Sequence, residues 1–341
     1  MKQRVSIIGA SGYSGAELLS LLSRHPYAEV TSVFANSSAG KRVEELYPAF
    51  RGTAAGSLVY GEFSPAAVAK DDIVFIALPS GEAMKHVPAL IDAGKRVIDL
   101  GGDFRLKDSS LYTKYYKHDH TAASYLPKAV YGLPEWNADA IRSAQLIANP
   151  GCYVTSALLP LLPLLKEGLV EPNGIVISSM SGVSGAGRSA STELSFTEVN
   201  ESVKAYKATV HQHTPEIETV LTDFGGRTAT VTFVPHLIPV TRGIFSTMYL
   251  RPAAPLTADD IRAVLTRQYA SAPFVRLIGE ASPEIKHVQH TNFIDIGWKP
   301  DPRNGTLVLF SVIDNLVKGA AGQAVQNMNL LIGANETEGL R

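Results

Sequence analysis

Apolar and polar positions follow two different rhythms along the chain. Up to about residue 150, short continuously apolar runs at 5–8, 30–35, 72–79, 96–100 and 146–148 are separated by stretches of helical character, such as the one holding Leu18, Leu19, Leu21 and Leu22 and the one over 82–93. Strands that are apolar on both faces belong in a parallel sheet covered by helices on both sides. Beyond residue 152, the runs 175–179, 228–234, 244–251, 293–298 and 306–313 have strand character with few helices between them. That pattern predicts a second domain of α+β type built on a mostly antiparallel sheet. A last helix, following the small-residue stretch after Asn315 and running to about residue 332, is expected to return to the first domain and make it discontinuous. Residues 106–139 are polar, tyrosine-rich and punctuated by proline, which predicts a long loop or insertion rather than regular structure. The tail from about residue 335 is expected to fray.

The first strand runs straight into Gly9-Ala10-Ser11-Gly12-Tyr13-Ser14-Gly15 and then a helix. This is the strand, glycine turn and helix of a Rossmann-type dinucleotide-binding unit, with the variant spacing G-x-x-G-x-x-G. Gly9 permits the tight turn, Gly12 lets the backbone approach a pyrophosphate, and Gly15 allows close helix–strand packing. After the second strand, an acidic residue would bind the ribose of NAD; Ser37, Ser38, Lys41 and Arg42 stand there instead, which suits the 2′-phosphate of NADP. Ligands in such sheets lie at the carboxyl ends of the strands, which places Pro79 and Ser80 near the cofactor and makes Arg105 a candidate clamp for a phosphate or carboxylate.

The single cysteine of the chain, Cys152, follows the turn Asn149-Pro150-Gly151 and opens a leucine-rich helix. In the first turn, unpaired N–H groups and the helix dipole favour a thiolate and can hold the oxyanion formed when it attacks a carbonyl. Pro160 and Pro163 predict that this helix is short or kinked after Leu159. His211-Gln212-His213-Thr214-Pro215-Glu216 offers an acid/base pair, with His213 favoured, Thr214 as helix N-cap and Pro215 at the first helical position. Ser184-Gly185-Ala186-Gly187-Arg188 is a second small-residue loop ending in a cation, suited to an anionic group or to a plain connector. His118 and His120, without a third ligand at fixed spacing, read as a solvated pair.

Composition narrows the field. With 341 residues, 45% hydrophobic and 18% charged, the chain has material for two cored domains. A formal net charge of -1 without long basic runs argues against nucleic acid and anionic membrane surfaces as partners. The apolar runs fall short of a membrane span, and the N-terminus shows no signal-peptide pattern. One cysteine excludes an intrachain disulfide and argues against a structural zinc site, so a cytoplasmic location is expected.

Taken in order, the glycine turn, Asp103-Phe104-Arg105, Asn149-Pro150-Gly151-Cys152-Tyr153, Ser184-Gly185-Ala186-Gly187-Arg188, the His211 to Glu216 run and Asp314-Asn315-Leu316-Val317-Lys318-Gly319-Ala320-Ala321-Gly322 make the chain resemble the N-acetyl-gamma-glutamyl-phosphate reductases over nearly its whole length. The resemblance implies a Rossmann domain over 1–148 and 318–341, and a catalytic and oligomerisation domain over 149–317. It implies NADP as cofactor, an acyl phosphate, its semialdehyde and inorganic phosphate as small-molecule partners, and a homodimer or homotetramer. Cys152 would be the nucleophile and His213 or His211 the acid/base. Gly9, Ser11, Gly12, Tyr13, Ser14, Gly15, Ser37, Ser38, Lys41, Pro79, Ser80, Ser184, Gly185 and Asn315 would meet the cofactor, and Arg105, Asn149 and Arg188 the substrate. The related aspartate-semialdehyde dehydrogenases place a histidine after a Pro-Val-x-x-Gly motif, whereas Pro239-Val240-Thr241-Arg242-Gly243 is followed here by Ile244. A lysine-pathway reductase of a carrier-bound acyl phosphate uses the same chemistry. A nonenzymatic NADP-binding sensor with a buried Cys152 is the alternative outside enzymes.

Overall fold

The computed structural model describes residues 2–341, whose strands form two seven-stranded sheets. The first compact unit comprises Met1–Pro150 and Ala320–Arg341. Its sheet contains β1 (Gln3–Ile8), β2 (Ala28–Phe34), β3 (Tyr60–Gly61), β4 (Ile73–Ile76), β5 (Arg96–Asp99), β6 (Ala129–Tyr131) and β7 (Leu146–Ala148), in the order β3-β2-β1-β4-β5-β7-β6. All neighbours are parallel. The order reverses between β1 and β4, the switch point at which such sheets bind ligands. Helix α1 (Tyr13–Ser23) buries Leu18, Leu19, Leu21 and Leu22 beside this point. It is followed by the short α2 (Val43–Leu46) and by α3 (Ala83–Asp92).

The stretch 106–139 is not a loop. It forms α4 (Ser109–Tyr116), a 3-10 segment over Ala123–Lys128, β6, and α5 (Pro134–Arg142). Asp108 starts α4 by accepting the Ser110 N–H at 2.8 Å, and Lys117 ends it at φ 67. Tyr112, Leu126 and Leu133 anchor the stretch in the core, so its polar residues are merely the outward positions of short elements. Nor are the two histidines a solvated pair. His120 is buried, its Nε2 2.7 Å from the Asp103 carbonyl, while His118 packs beside Gly81.

The second unit, Gly151–Gly319, carries helices α6 (Cys152–Lys166), α7 (Phe196–Val199), α8 (His213–Gly225) and α9 (Ala258–Tyr269). Its strands are β8 (Ile175–Gly182), β9 (Lys204–Ala205), β10 (Val231–Ile238), β11 (Ile244–Leu250), β12 (Val275–Gly279), β13 (Ile294–Asp301) and β14 (Thr306–Ile313), ordered β12-β13-β14-β11-β8-β10-β9. The sheet is mixed: β12 with β13 and β8 with β10 run parallel, and the other neighbours antiparallel. Along β8, Ile175, Ile177, Ser179 and Ser181 are buried while Val176 and Met180 are exposed, the alternation of a sheet with one covered face.

Helix α6 continues through Pro160 and Pro163 to Lys166, contrary to the expected break. Each proline leaves the carbonyl four residues earlier without its helical donor. For Pro160 that carbonyl belongs to Ser156, and the Ser311 hydroxyl donates to it at 2.7 Å. For Pro163 it belongs to Leu159, which accepts from the Tyr269 hydroxyl. Ser311 has its one proton committed, so Ser156 donates to Ser311, Ser246 to Ser156, and Ser179 to Ser246, over contacts of 2.7–2.8 Å. Four buried hydroxyls thus form one directed chain from β8 to the helix.

The chain re-enters the first unit through a π turn over Val317–Ala321 and ends in the fully buried α10 (Gly322–Leu331). The crossings fall at 150/151 and 319/320. The tail is docked rather than frayed: the Asn329 side chain donates to the carbonyls of Glu336 and Glu338, and Leu340 is buried.

Candidate active site

Cys152 is the first residue of α6, after Gly151 in extended conformation, and it is half-buried. Two contacts fix this turn from within the second unit. The Gly151 N–H donates to Glu216 Oε1 at 3.0 Å, and Glu216 is fully buried. Gly319 lies so close that a Cβ there would stand 2.7 Å from the Cys152 Cβ. Neither contact was foreseen. Glu216 belongs to α8, yet it reaches across to the helix of the cysteine. Glu218 likewise leaves its helix to accept the Val231 N–H at 3.0 Å.

The histidine locus also differs in detail. Helix α8 begins at His213, with Gln212 as the preceding residue, so Thr214 is inside the first turn and is not its cap. The imidazoles of His211 and His213 lie 4.7 Å apart, and the Tyr153 ring contacts both, at 5.7 and 5.9 Å. Tyr206, which sequence reasoning passed over, packs on His211 and hydrogen-bonds the Tyr153 hydroxyl at 2.9 Å. Burial raises the phenol of Tyr206 to about 12 and that of Tyr153 further, so both hydroxyls stay protonated. Burial, with His213 and Lys207 nearby, pushes His211 down to about 2.

Asn315 and Ser184 are brought together in this unit: the Asn315 amide donates to Ser184 Oγ at 3.0 Å and accepts the Gly243 N–H at 2.8 Å. The amide therefore ties two loops. Gly185 and Arg188 are exposed beyond Ser184.

In the first unit, the three glycines of the turn meet different surroundings. Gly9 sits at φ +86, where a Cβ would lie 2.3 Å from the Ala77 carbonyl oxygen; at Gly15 it would lie 2.4 Å from that of Gly9. Gly12 opens α1, and a Cβ there meets only Gly9 O, at 3.6 Å. The turn is thus compressed on its inner side and open where a pyrophosphate would approach. Ser11, Ser14 and Tyr13 surround it, with the Ser11 carbonyl accepting the Tyr47 hydroxyl at 2.8 Å. Ser37 and Lys41 are exposed after β2 and Ser38 is buried; Arg42 lies 3.6 Å from Glu44. Pro79 and Ser80 are exposed before α3. Their loop is pinned by Asp103, which accepts N–H groups of Gly81 at 2.7 Å and Met84 at 3.0 Å.

Two residues expected at the substrate make contacts within this unit. Arg105 directs its guanidinium to the carbonyls of Asn149 at 2.8 Å and Leu100 at 2.7 Å, bracing strand ends. Asn149 is fully buried, its amide bonded to the Ala320 carbonyl and to Asn327. Both residues thereby brace the sheet edge. Beside them, Asp99 is fully buried, and burial with the neighbouring Asp103 charge raises its carboxyl to about 7.

The fold is thus a parallel-sheet unit with a glycine turn at its switch point and a mixed-sheet unit opening on a cysteine at a helix start, the two-domain architecture of a dinucleotide-dependent dehydrogenase. The family model for the semialdehyde dehydrogenase NAD binding domain matches residues 4–144, and that for the semialdehyde dehydrogenase dimerisation domain matches 152–315. The chain is 51% identical to an N-acetyl-gamma-glutamyl-phosphate reductase of Pelotomaculum thermopropionicum, covering 100% of this chain and 98% of that protein. It is 48% identical to the enzyme of that name from Geobacillus thermodenitrificans, covering 99% and 98%. In fold it matches aspartate semialdehyde dehydrogenase II of Vibrio cholerae with a TM-score of 0.75 at 19% identity, over 98% of this chain and 99% of that one. The NADP complex of aspartate semialdehyde dehydrogenase from Candida albicans matches with a TM-score of 0.74 at 16% identity, over 97% and 99%. The chain therefore belongs to the semialdehyde dehydrogenase family and, within it, to the N-acetyl-gamma-glutamyl-phosphate reductases.

Proposed function

We propose that this chain reduces N-acetyl-gamma-glutamyl phosphate to N-acetyl-L-glutamate 5-semialdehyde with NADPH, releasing phosphate in arginine biosynthesis, through a thioester on Cys152. The observation that carries the chemistry is the lone cysteine at the first position of α6, its turn braced by Glu216 and Gly319. The Cys152 sulfur attacks the acyl carbon, the bond from that carbon to the phosphate oxygen breaks, and the phosphate leaves with the bonding pair. The N–H groups at the start of α6 hold the oxyanion of each tetrahedral state. Arg188, exposed at the end of its small-residue loop, is the cation for the phosphate. His213 takes the thiol proton as the sulfur attacks; when the oxyanion of the reduced intermediate closes to the aldehyde, the carbon–sulfur bond leaves with its pair on sulfur, and His213 returns that proton to restore the thiol.

NADPH, when bound, supplies the hydride. The residues present fit it: the compressed turn at Gly9 and Gly15 with the open face at Gly12 receives a pyrophosphate, and Ser37 with Lys41 follows β2 where a ribose 2′-phosphate would lie. Val176, Met180 and Tyr249 are exposed on the open face of the second sheet, with Val176 paired to Tyr249 across β8 and β11. That face joins two copies, in a homodimer or homotetramer working in the cytoplasm. Among the described residues no helix is long and apolar enough to cross a membrane.

The test is phosphate-dependent reduction of NADP with N-acetylglutamate semialdehyde and, in parallel, aspartate semialdehyde. Turnover of the acetylated substrate alone, with NADP far preferred over NAD, is expected; turnover of aspartate semialdehyde alone overturns the assignment. Sedimentation velocity that returns a monomer overturns the oligomer.

A further inference from the structure

Building on the thiol reading above, we propose that His211 is a positioning residue whose imidazole caps the start of α8, setting the places of His213 and Glu216, and that it carries no proton in the reaction. Its Nδ1 accepts the backbone N–H of His213 at 3.0 Å, and its carbonyl accepts that of Thr214 at 2.9 Å. The first N–H groups of a helix need acceptors from outside it, a role filled mostly by Ser, Thr, Asp or Asn oxygens. Here an imidazole nitrogen two residues upstream fills it. The ring is held by edge contacts with Tyr153 of α6 at 5.7 Å, Tyr206 at 5.6 Å, Phe233 of β10 at 5.4 Å and His213 at 4.7 Å, leaving it 3% exposed.

The capping bond decides the tautomer. A ring nitrogen that accepts an N–H carries no proton, so neutral His211 is protonated on Nε2 and its basic site is Nδ1. Acting as a base would put a proton on Nδ1, set it against the His213 N–H and break the cap. The titratable and charged groups facing the ring are His213 on α8, Tyr153 on α6, and Tyr206 with Lys207 on the segment before α8. His213 and Lys207 oppose a positive charge there, as burial does, which agrees with the strong downward shift of His211. The gain is geometric. His213 is the first residue of α8, and Glu216, three residues on, accepts the Gly151 N–H beside Cys152. A slip of this one turn displaces the acid/base and the brace of the nucleophile together.

Substitution separates the roles. His211→Asn keeps an acceptor close to the Nδ1 position, whereas His211→Gln and His211→Ala do not. We expect His211→Asn to keep kcat within about threefold of wild type, and the other two to lose about tenfold or more. In all three the KM for NADP and the pKa values of the kcat profile stay in place, while His213→Asn removes the limb assigned to the acid/base. Nitrogen-15 histidine spectra of the wild-type protein, recorded without substrate, should show His211 as the Nε2–H tautomer without titration between about pH 5.5 and 8.5. The proposal is overturned by a titrating His211, by its Nδ1–H tautomer, or by a His211→Asn loss equal to that of His213→Asn. Absence of acetylated-substrate turnover in wild type would count against the reaction assigned above, and the substrate-free spectra would still decide the role of His211.

Discussion

Two helix starts in this molecule use the same backbone device for different ends. Helices α1 and α6 both begin after a glycine in extended conformation, at φ -78, ψ 168 and φ -66, ψ 149. Each start offers N–H groups and the positive end of a dipole. At α1 a Cβ on the preceding Gly12 would meet only Gly9 O, at 3.6 Å, and the tightness lies underneath, where Gly9 and Gly15 meet backbone. At α6 the first position carries a thiol, the preceding N–H is already held by Glu216, and Gly319 packs against the cysteine. In the function proposed above, an open start receives a whole ligand. In the reaction proposed above, a filled one holds a single reacting atom in place.

The sharpest separation of the two starts comes from Cys152→Ser and Gly12→Val. Replacing the sulfur should lower kcat by about 10³-fold or more and leave NADP affinity unchanged, since a serine hydroxyl lacks the thiol's acidity. Gly12 has an ordinary φ and room for a Cβ, so the valine protein should fold; its side chain blocks the approach to the turn. NADP binding should then be lost while alkylation of Cys152 by iodoacetamide keeps its wild-type rate. If either variant impairs both functions with the fold intact, the two starts are not independent devices.

Gly319→Ala asks how tightly the filled start is set. The added carbon would lie 2.7 Å from the Cys152 Cβ, closer than such atoms approach, so the turn or the π segment must shift. A displacement on the order of 1 Å at a reacting atom costs about 10²-fold in rate, so kcat should fall by one to two orders of magnitude with NADP binding intact. Unchanged kcat in the alanine variant would show that the cysteine tolerates movement.

Glu216 gives a smaller contrast. Glu216→Ala leaves the buried Gly151 N–H without its acceptor, a loss of about 1–3 kcal/mol of stability, whereas Glu216→Gln keeps an oxygen in place. Urea unfolding of the two variants should rank wild type first, Gln next and Ala last. Equal midpoints for Gln and Ala would mean that charge, not the hydrogen bond, is what Glu216 contributes.

What could be read along the chain was local chemistry. The glycine turn, the lone cysteine at a helix start and the pair of histidines depend on residues a few positions apart, and their spacing carries the signal. What escaped depends on partners far away in sequence. The prolines of α6 looked like helix breaks because their compensating donors, Ser311 and Tyr269, lie more than a hundred residues downstream. The bond of Glu216 to the Gly151 N–H was hidden for the same reason, its partner lying 65 residues away. The polar stretch 106–139 hid short helices because only a few anchors such as Tyr112 and Leu126 face the core. The contacts of Arg105 and Asn149 with a backbone carbonyl and a buried amide could not be seen from spacing.

The smallest effect concerns protons rather than catalysis, and it has opposite signs in the two units. Asp99, in the first unit, is raised from 3.8 to about 7, so between those values the folded protein holds a proton that the unfolded chain releases. Its contribution to stability is complete below about pH 4 and is lost as pH rises through 7. His211, in the second unit, is lowered from 6.5 to about 2, so the unfolded chain binds the extra proton, and stability falls as pH drops below 6.5. Between pH 4 and 6.5 the two slopes oppose each other. Asp99→Asn removes one of them while keeping an oxygen for the Gly101 N–H, which Asp99 accepts at 2.8 Å. The stability of this variant relative to wild type, measured by urea unfolding across that range, should therefore increase with pH and level off above about pH 7. A difference that stays constant with pH would mean that Asp99 is ionised in the folded protein throughout, and that the buried edge of the first sheet tolerates its charge.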